Sequence, residues 1–355
     1  MSPSLKQRVV ERAKSLGFDA VGVARADEPL EVEFERYTAF VEGGRHGEME
    51  YLGRDPEIRR RVDTDAILLG AKSVICVARR YQRSAEAEAS DPPLAKLVAR
   101  YARGHDYHNH VRKKLRLLAK FVRTLGEGVE ARPLCDQEPI LERAWAARAG
   151  LGFVGKNGLV IVPGQGSFVL LGEVVTTLDL AADVPMAERC GSCTRCLDAC
   201  PTSAFEAPFV LDPRRCISYL TIEAPMADAT PARDAAREHL FGCDDCQSVC
   251  PYNRAPVGPP DRTKPFSPLD VFTGRTLDDL VRLDEEGFTA LTVGSPLKRA
   301  GRAGLARSAV SVALSRLRRP EGVAPEELVE AERAIRAGLE HDDADVVAEA
   351  ARATK

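Results

Sequence analysis

The chain carries the run Cys190-Gly-Ser-Cys193-Thr-Arg-Cys196-Leu-Asp-Ala-Cys200-Pro201. Three thiolates this close in sequence wrap one face of a cubane iron–sulfur cluster, and the cysteine before proline reaches across to a neighbouring cluster. Downstream come Cys216 and then Cys243-Asp-Asp-Cys246-Gln-Ser-Val-Cys250-Pro251. The second run repeats the first with one ligand moved upstream. The spacing predicts one 4Fe–4S cluster on Cys190, Cys193, Cys196 and Cys250, and a second on Cys200, Cys216, Cys243 and Cys246. Structural zinc prefers two well-separated pairs of cysteines around each ion, which this spacing disfavours. Cys76 and Cys135 stand outside the cluster and read as buried structural thiols.

Two clusters side by side make an electron wire, and a wire needs something to reduce. The chain has 355 residues, room for two or three domains of about 100–200 residues each. Its 44% apolar and 29% charged shares exclude a collagen-like or largely disordered chain. No apolar run reaches the roughly 18–20 residues of a membrane span. The start from Met1 to Arg8 leads into an amphipathic pattern, so a cytoplasmic protein is expected. The net charge of −3 means that any nucleic-acid site must come from local patches.

Hydrophobic periodicity divides the chain into three regions. Residues 1–185 read as a layered α/β domain. Leu5, Val9, Ala13 and Leu16 have helical spacing closed by Gly17. Ala20–Ala24 and Ser73–Ala78 read as buried strands, Val111 to Leu125 as an amphipathic helix with a basic outer face, and Ile140–Ala149 as a further helix. Leu159–Val162 and Ser167–Thr177 predict a hairpin around Pro163-Gly164-Gln165-Gly166. Residues 186–260 form the ferredoxin-like region that holds both clusters. Residues 261–355 read as helical, with Leu305, Val312 and Leu317 on one helix and Leu328, Ala331, Ile335 and Leu339 on another. Paired helices of this size resemble one or two HEAT-like units.

The nucleotide fingerprints that a strand and Gly-rich turn would make are missing from the first region. A series of motifs is present instead. Arg100-Tyr-Ala-Arg-Gly-His-Asp106-Tyr107-His108 is followed by Pro139-Ile-Leu-Glu142-Arg143 and by Ala149-Gly-Leu-Gly-Phe-Val-Gly-Lys156-Asn157. Between the cysteine runs lies Arg215-Cys216-Ile-Ser218-Tyr219-Leu-Thr-Ile-Glu223, and after them Lys298-Arg299-Ala-Gly-Arg302-Ala-Gly-Leu-Ala-Arg307. Together, over roughly residues 5–315, the series closely resembles the epoxyqueuosine reductase family. The resemblance implies a cobalamin held between the α/β and ferredoxin-like domains and reduced to Co(I) by the clusters. It implies Co(I) attack on the epoxide of epoxyqueuosine at the tRNA wobble position, giving queuosine. An external electron donor of the flavodoxin or ferredoxin type and a monomeric chain are expected.

The resemblance also assigns roles. Asp136 stands where the family has its proton donor, and a carboxylic acid kept neutral by burial suits that task; a strand-end or capping aspartate is the plain alternative. The family reads Asp-Ser-Ala or similar here, whereas this chain has Asp136-Gln137-Glu138. Tyr107 and His108 are expected to line the corrin or nucleoside pocket. Lys156, Ser218, Asp244 and Asp245 are candidate cobalamin contacts, with a solvated turn as the alternative for the two aspartates. Arg143, Lys298, Arg299, Arg302 and Arg307 are candidate tRNA contacts. From Lys298 to Arg319 there are seven basic residues and no acidic one, a pattern that fits a phosphate-binding helical face. A reductive-dehalogenase-like corrinoid reductase of a small molecule and a plain electron-transfer module remain the rival readings.

Overall fold

The structure is a computed structural model that describes residues 3–136, 138–224, 234–236, 238–254 and 264–354. The expected departure at Gln137 and the expected boundary at residues 260–261 lie outside the described residues.

Helix α1 (Leu5–Ser15) opens with a capping box between Ser4 and Gln7 and buries Val9 and Ala13. Gly17 at φ +89° takes the left-handed turn that ends it. Strands β1 (Ala20–Arg25), β2 (Ser73–Arg80), β3 (Ala131–Leu134) and β4 (Val169–Thr176) form one sheet in the order β1-β2-β4-β3. Every pairing is antiparallel. The alternation of helices and strands thus belongs to a layered domain without parallel crossovers. All eight residues of β2 are buried because helices cover both faces of the sheet.

Helix α2 (Tyr107–Arg123) lays Val111, Leu115, Leu118 and Val122 beside α1, against Ile75, Val77 and Val174. Helix α3 (Glu142–Arg148) covers the other face, with Trp145 and Ala146 against Cys76, Leu134 and Val175. Where α3 ends, the Ala149 carbonyl oxygen sits 2.1 Å from where a Cβ on Gly22 would stand. Gly22→Ala is therefore expected to destabilise the protein by about 1–3 kcal/mol, because backbone must shift to admit the methyl group. Thermal melting of the purified variant checks this, and an unchanged melting temperature would contradict the close approach.

The expected hairpin is only partly realised. Its turn closes a single Val162↔Gly166 bridge. Val160–Ile161 pairs back onto Phe153–Val154, while β4 joins the main sheet between β2 and β3. Pairing on both edges, with the eight residues of β2 and the four of β3, offers β4 more hydrogen bonds than one short arm does.

In the cysteine-rich region, short helices Arg195–Asp198 and Asp245–Ser248 lie within the two cysteine runs, and α4 (Ile217–Ile222) follows Cys216. The C-terminal part is helical, built on α5 (Gly301–Arg318), α6 (Pro325–Leu339) and α7 (Ala344–Ala350). Leu305, Ala309, Val310 and Ala313 pack with Ala331, Ala334 and Ile335. Leu94, Leu97, Val98 and Ala102 from the first region, with Leu240 and Phe241, belong to that same core. Backbone bonds tie this segment down: Leu240 N–H to the Leu97 carbonyl (2.8 Å), Ala99 N–H to Phe241 (2.8 Å) and Asp106 N–H to Gly294 (2.6 Å). Among the described residues, no helix is long and apolar enough to cross a membrane.

Candidate active site

All ten cysteines are free thiols. Folding brings the eight clustered ones into two groups. In the first, Cys196 lies within electrostatic reach of Cys190, Cys193 and Cys250. In the second, Cys216 lies within reach of Cys200, Cys243 and Cys246. Burial raises the Cys190 thiol to about 11 and pushes Cys196, Cys216, Cys246 and Cys250 upward as well. Thiols crowded and desolvated in this way ionise beside a cationic metal centre and resist ionising without one. The donor set therefore fits two metal clusters.

Several predicted cofactor contacts serve these loops. The Lys156 ammonium donates to the carbonyls of Gly191 (2.5 Å) and Cys193 (3.0 Å), which commits it to the first cysteine loop. The Ser218 hydroxyl accepts the Cys243 N–H at 3.1 Å. Asp244 is buried and accepts from the Arg100 backbone N–H (2.8 Å) and guanidinium (3.2 Å), pinning the cysteine-rich region to the sheet domain. Asp245 pairs with His239 at 3.2 Å. These contacts give Lys156, Ser218, Asp244 and Asp245 a part in holding the cysteine loops in place.

Asp136, Tyr107 and His108 do come together. Asp136 follows β3 and adopts φ +57°, a left-handed conformation that a non-glycine residue holds only when its surroundings enforce it. The Tyr107 hydroxyl donates to Asp136 Oδ2 at 2.5 Å, and His108 Nε2 stands 3.0 Å from the same oxygen. His108 Nδ1 is 2.7 Å from Asp106, the N-cap of α2. Asp106 thereby fixes the ring, and Nε2 is free to share a proton with Asp136.

The electrostatics correct one expectation. Asp136 is not a carboxyl kept neutral by burial: half of its side chain is exposed. Burial pushes its pKa up, but the hydrogen bonds from His108 and Tyr107 and the His108 charge outweigh it, so the carboxyl lies below its ordinary range. The hydrogen bond to Asp136 chiefly raises His108. The two opposite shifts favour the shared proton on the imidazole side of the pair.

The surroundings of Asp136 come from all three parts of the chain. Arg299 lies over the Tyr51 ring (5.3 Å to the centroid) and pairs with Glu223 at 3.0 Å, and its charge reaches Asp136. Tyr101 packs edge-on to Tyr107 at 6.1 Å. Sequence reasoning missed Tyr51, Tyr101, Glu223 and Glu142 as members of this site. Tyr101, Glu142 and Glu223 lay inside the motif series, whereas nothing around Tyr51 set it apart.

Residues 189–253 match the 4Fe-4S double cluster binding domain, and residues 61–137 match the family described as "Epoxyqueuosine reductase QueG, DUF1730". The epoxyqueuosine reductase of Gloeobacter violaceus is 41% identical over 315 residues, spanning 88% of this chain and 96% of the relative. The chain belongs to the epoxyqueuosine reductase family. The Escherichia coli member is 37% identical over 299 residues, 84% of this chain and 77% of the relative. A family member solved with a tRNA-Tyr epoxyqueuosine-modified stem loop superposes with a TM-score of 0.79 at 27% identity, covering 98% of this chain and 97% of that one. The Bacillus subtilis member, solved with an aspartate catalytic loop swung out of the active site, gives 0.78 at 27% identity over 98% of both chains.

Within this family framework, the basic residues of the C-terminal part separate into two kinds. Lys298 and Arg299 are exposed, with Arg299 also paired to Glu223 at 3.0 Å. Arg302 is held by Glu285 (2.9 Å) and Asp342 (2.7 Å), and Arg307 is buried and donates to the Ala224 carbonyl (2.9 Å). Arg316 is likewise buried and paired with Glu238 at 2.8 Å. Arg143 is exposed but gives its guanidinium to the Gly158 carbonyl (2.6 Å). The expectation of a continuous basic face is thus corrected: acidic partners distant in sequence neutralise Arg302 and Arg316, and burial removes Arg307.

Proposed function

We propose that this chain reduces epoxyqueuosine in the tRNA wobble position to queuosine, with two 4Fe–4S clusters and a cobalamin. The observation that carries the reading is Asp136 itself, half exposed, strained and hydrogen-bonded to Tyr107 and His108 where the three parts of the chain meet. The Bacillus subtilis relative's movable aspartate loop supports giving this turn the catalytic role.

Two electrons and two protons convert the epoxide to an alkene and water. Cys190, Cys193, Cys196 and Cys250 hold one cluster, and Cys200, Cys216, Cys243 and Cys246 hold the other. The clusters, when bound there, would supply low-potential electrons drawn from an external donor of the flavodoxin or ferredoxin type. Cobalamin, when bound, supplies a reducing and nucleophilic cobalt. His108 gives its proton to Asp136 across the 3.0 Å contact as negative charge develops on the leaving epoxide oxygen, and Asp136 passes it on. Tyr107 and His108 hold Oδ2 and so orient the carboxyl. Lys298 and Arg299 meet phosphate, with the α5–α6 pair as a HEAT-like platform, and the chain acts as a monomer in the cytoplasm.

Anaerobic reconstitution with iron, sulfide and cobalamin, followed by reaction with an epoxyqueuosine-modified stem loop, tests the reading. Digestion should show the wobble nucleoside losing one oxygen atom. Recovery of the intact epoxide under reducing conditions, with both clusters and the corrinoid present, refutes it.

A further inference from the structure

The α3 face of the sheet is apolar except at one position. Leu171 and Val175 of β4 point into the core beneath α3, and Glu173 lies between them on the same face. Across the sheet its row reads Gly22, Cys76, Glu173, Leu134. Glu173 is 0% exposed, and neither carboxyl oxygen receives an N–H or O–H. An isolated carboxylate in such surroundings is costly. Its neighbour is another carboxyl, that of Glu142 in the first turn of α3.

Glu142 in turn accepts the backbone N–H of Asp136 at 2.7 Å. The adjoining Cys135 N–H goes to Glu138 at 3.3 Å. The strained turn is therefore held by its own amides as well as by the Asp136 side chain. We propose that Glu142, backed by Glu173, is the catch of the Asp136 turn: a pair of positioning residues that fixes the left-handed backbone and so aims the carboxylate at Tyr107 and His108. The inference deepens the proposed function and rests on its assignment of Asp136.

Two facing carboxyls in an apolar layer share a proton, since both cannot ionise. Burial and then the Glu142 charge push Glu173 far above the ordinary carboxyl range. Burial, with Asp136 adding to it, raises Glu142 to about 7. The other groups facing the pair are Cys76, Cys135, Asp136 and Glu138. Arg143, next on the helix, turns to the Gly158 carbonyl, and Arg112 acts on Cys135. Near pH 7 Glu173 thus donates its proton to Glu142, and a charged Glu142 grips the Asp136 N–H. As pH falls through about 7, Glu142 becomes neutral and its grip weakens, because charge-assisted hydrogen bonds are the stronger kind.

Amide hydrogen exchange in the peptide containing Asp136, followed on the reconstituted protein at fixed pH, tests the catch directly. Glu142→Ala should speed exchange at Asp136 by at least about tenfold. The same change should lower kcat by about 100-fold with little effect on the stem-loop KM. Glu142→Gln, which keeps an acceptor and the side-chain shape, should retain protection and lose the acid limb of the rate profile near pH 7. Glu173→Gln gives Glu142 a permanent donor and should move that limb acidward by at least about one pH unit. Equal exchange in wild type and both Glu142 variants overturns the proposal, as does an unmoved limb in Glu173→Gln. Exchange needs no substrate, so a chain that fails to reduce the stem loop sinks the proposed function while the catch is still decided.

Discussion

Asp136→Asn is expected to keep both clusters and the corrinoid while lowering single-turnover reduction of the modified stem loop by about 10²–10⁴-fold, the usual worth of a positioned general acid. The asparagine oxygen still accepts from Tyr107, so the turn should survive, but the side chain can no longer take a proton from His108. Rapid-quench analysis of the wobble nucleoside measures the loss, and visible spectra confirm the cofactors. A variant as fast as wild type removes Asp136 from the proton path. The pH dependence follows from the same pair. His108 is raised by Asp136, so its proton is held to higher pH than in a free imidazole, and turnover should fall as pH rises through that raised value. His108→Gln should abolish this alkaline limb. The pair also stabilises the fold. The His108 contribution is complete below its ordinary pKa of about 6.5 and is lost as pH climbs through the raised one. The Asp136 contribution is complete above its ordinary value and is lost as pH drops through the lowered one.

Cys246→Ala should be equally severe by another route. It removes a thiolate from the group around Cys216, and the iron content of the reconstituted protein should fall by about half, with turnover lost. Cys76→Ala, a change inside β2, should leave iron content whole. Iron and sulfide analysis with electron paramagnetic resonance of the reduced protein separates the two. A full iron complement in Cys246→Ala would break the assignment of the second ligand set.

Local pattern exposed much of this molecule in advance. The stripe Val111, Leu115, Leu118 and Val122 announced α2, and Pro325 marks the first turn of α6. Cysteine spacing was legible because cluster ligands are set largely by short-range chain geometry. What escaped depended on partners far away in sequence. Arg302 and Arg316 looked like a basic face because a run of residues does not reveal Glu285, Asp342 or Glu238 folding onto it. The structural partners of Lys156 and Asp244 were hidden in the same way, because only folding shows their atoms bound to Cys193 and Arg100. Glu173 gave no signal at all. An acid in an alternating strand reads as solvent-facing, and it took the register with Cys76 and Leu134 to place it beneath α3. The hairpin at Pro163–Gly166 failed for a related reason: the turn chemistry was sound, but β4 found better neighbours.

The stretch from Leu94 to Ala102 sits inside the C-terminal helical core, and a few residues later the chain enters α2 with Tyr107 and His108. The Gly294 carbonyl even holds the amide of Asp106, the residue that steadies the imidazole. The last third of the protein is therefore no detachable appendage. Trimming it away would strip the moorings from the first turn of α2, and the proton-handling pair would lose its alignment even though every residue that touches the substrate's oxygen remained in the chain.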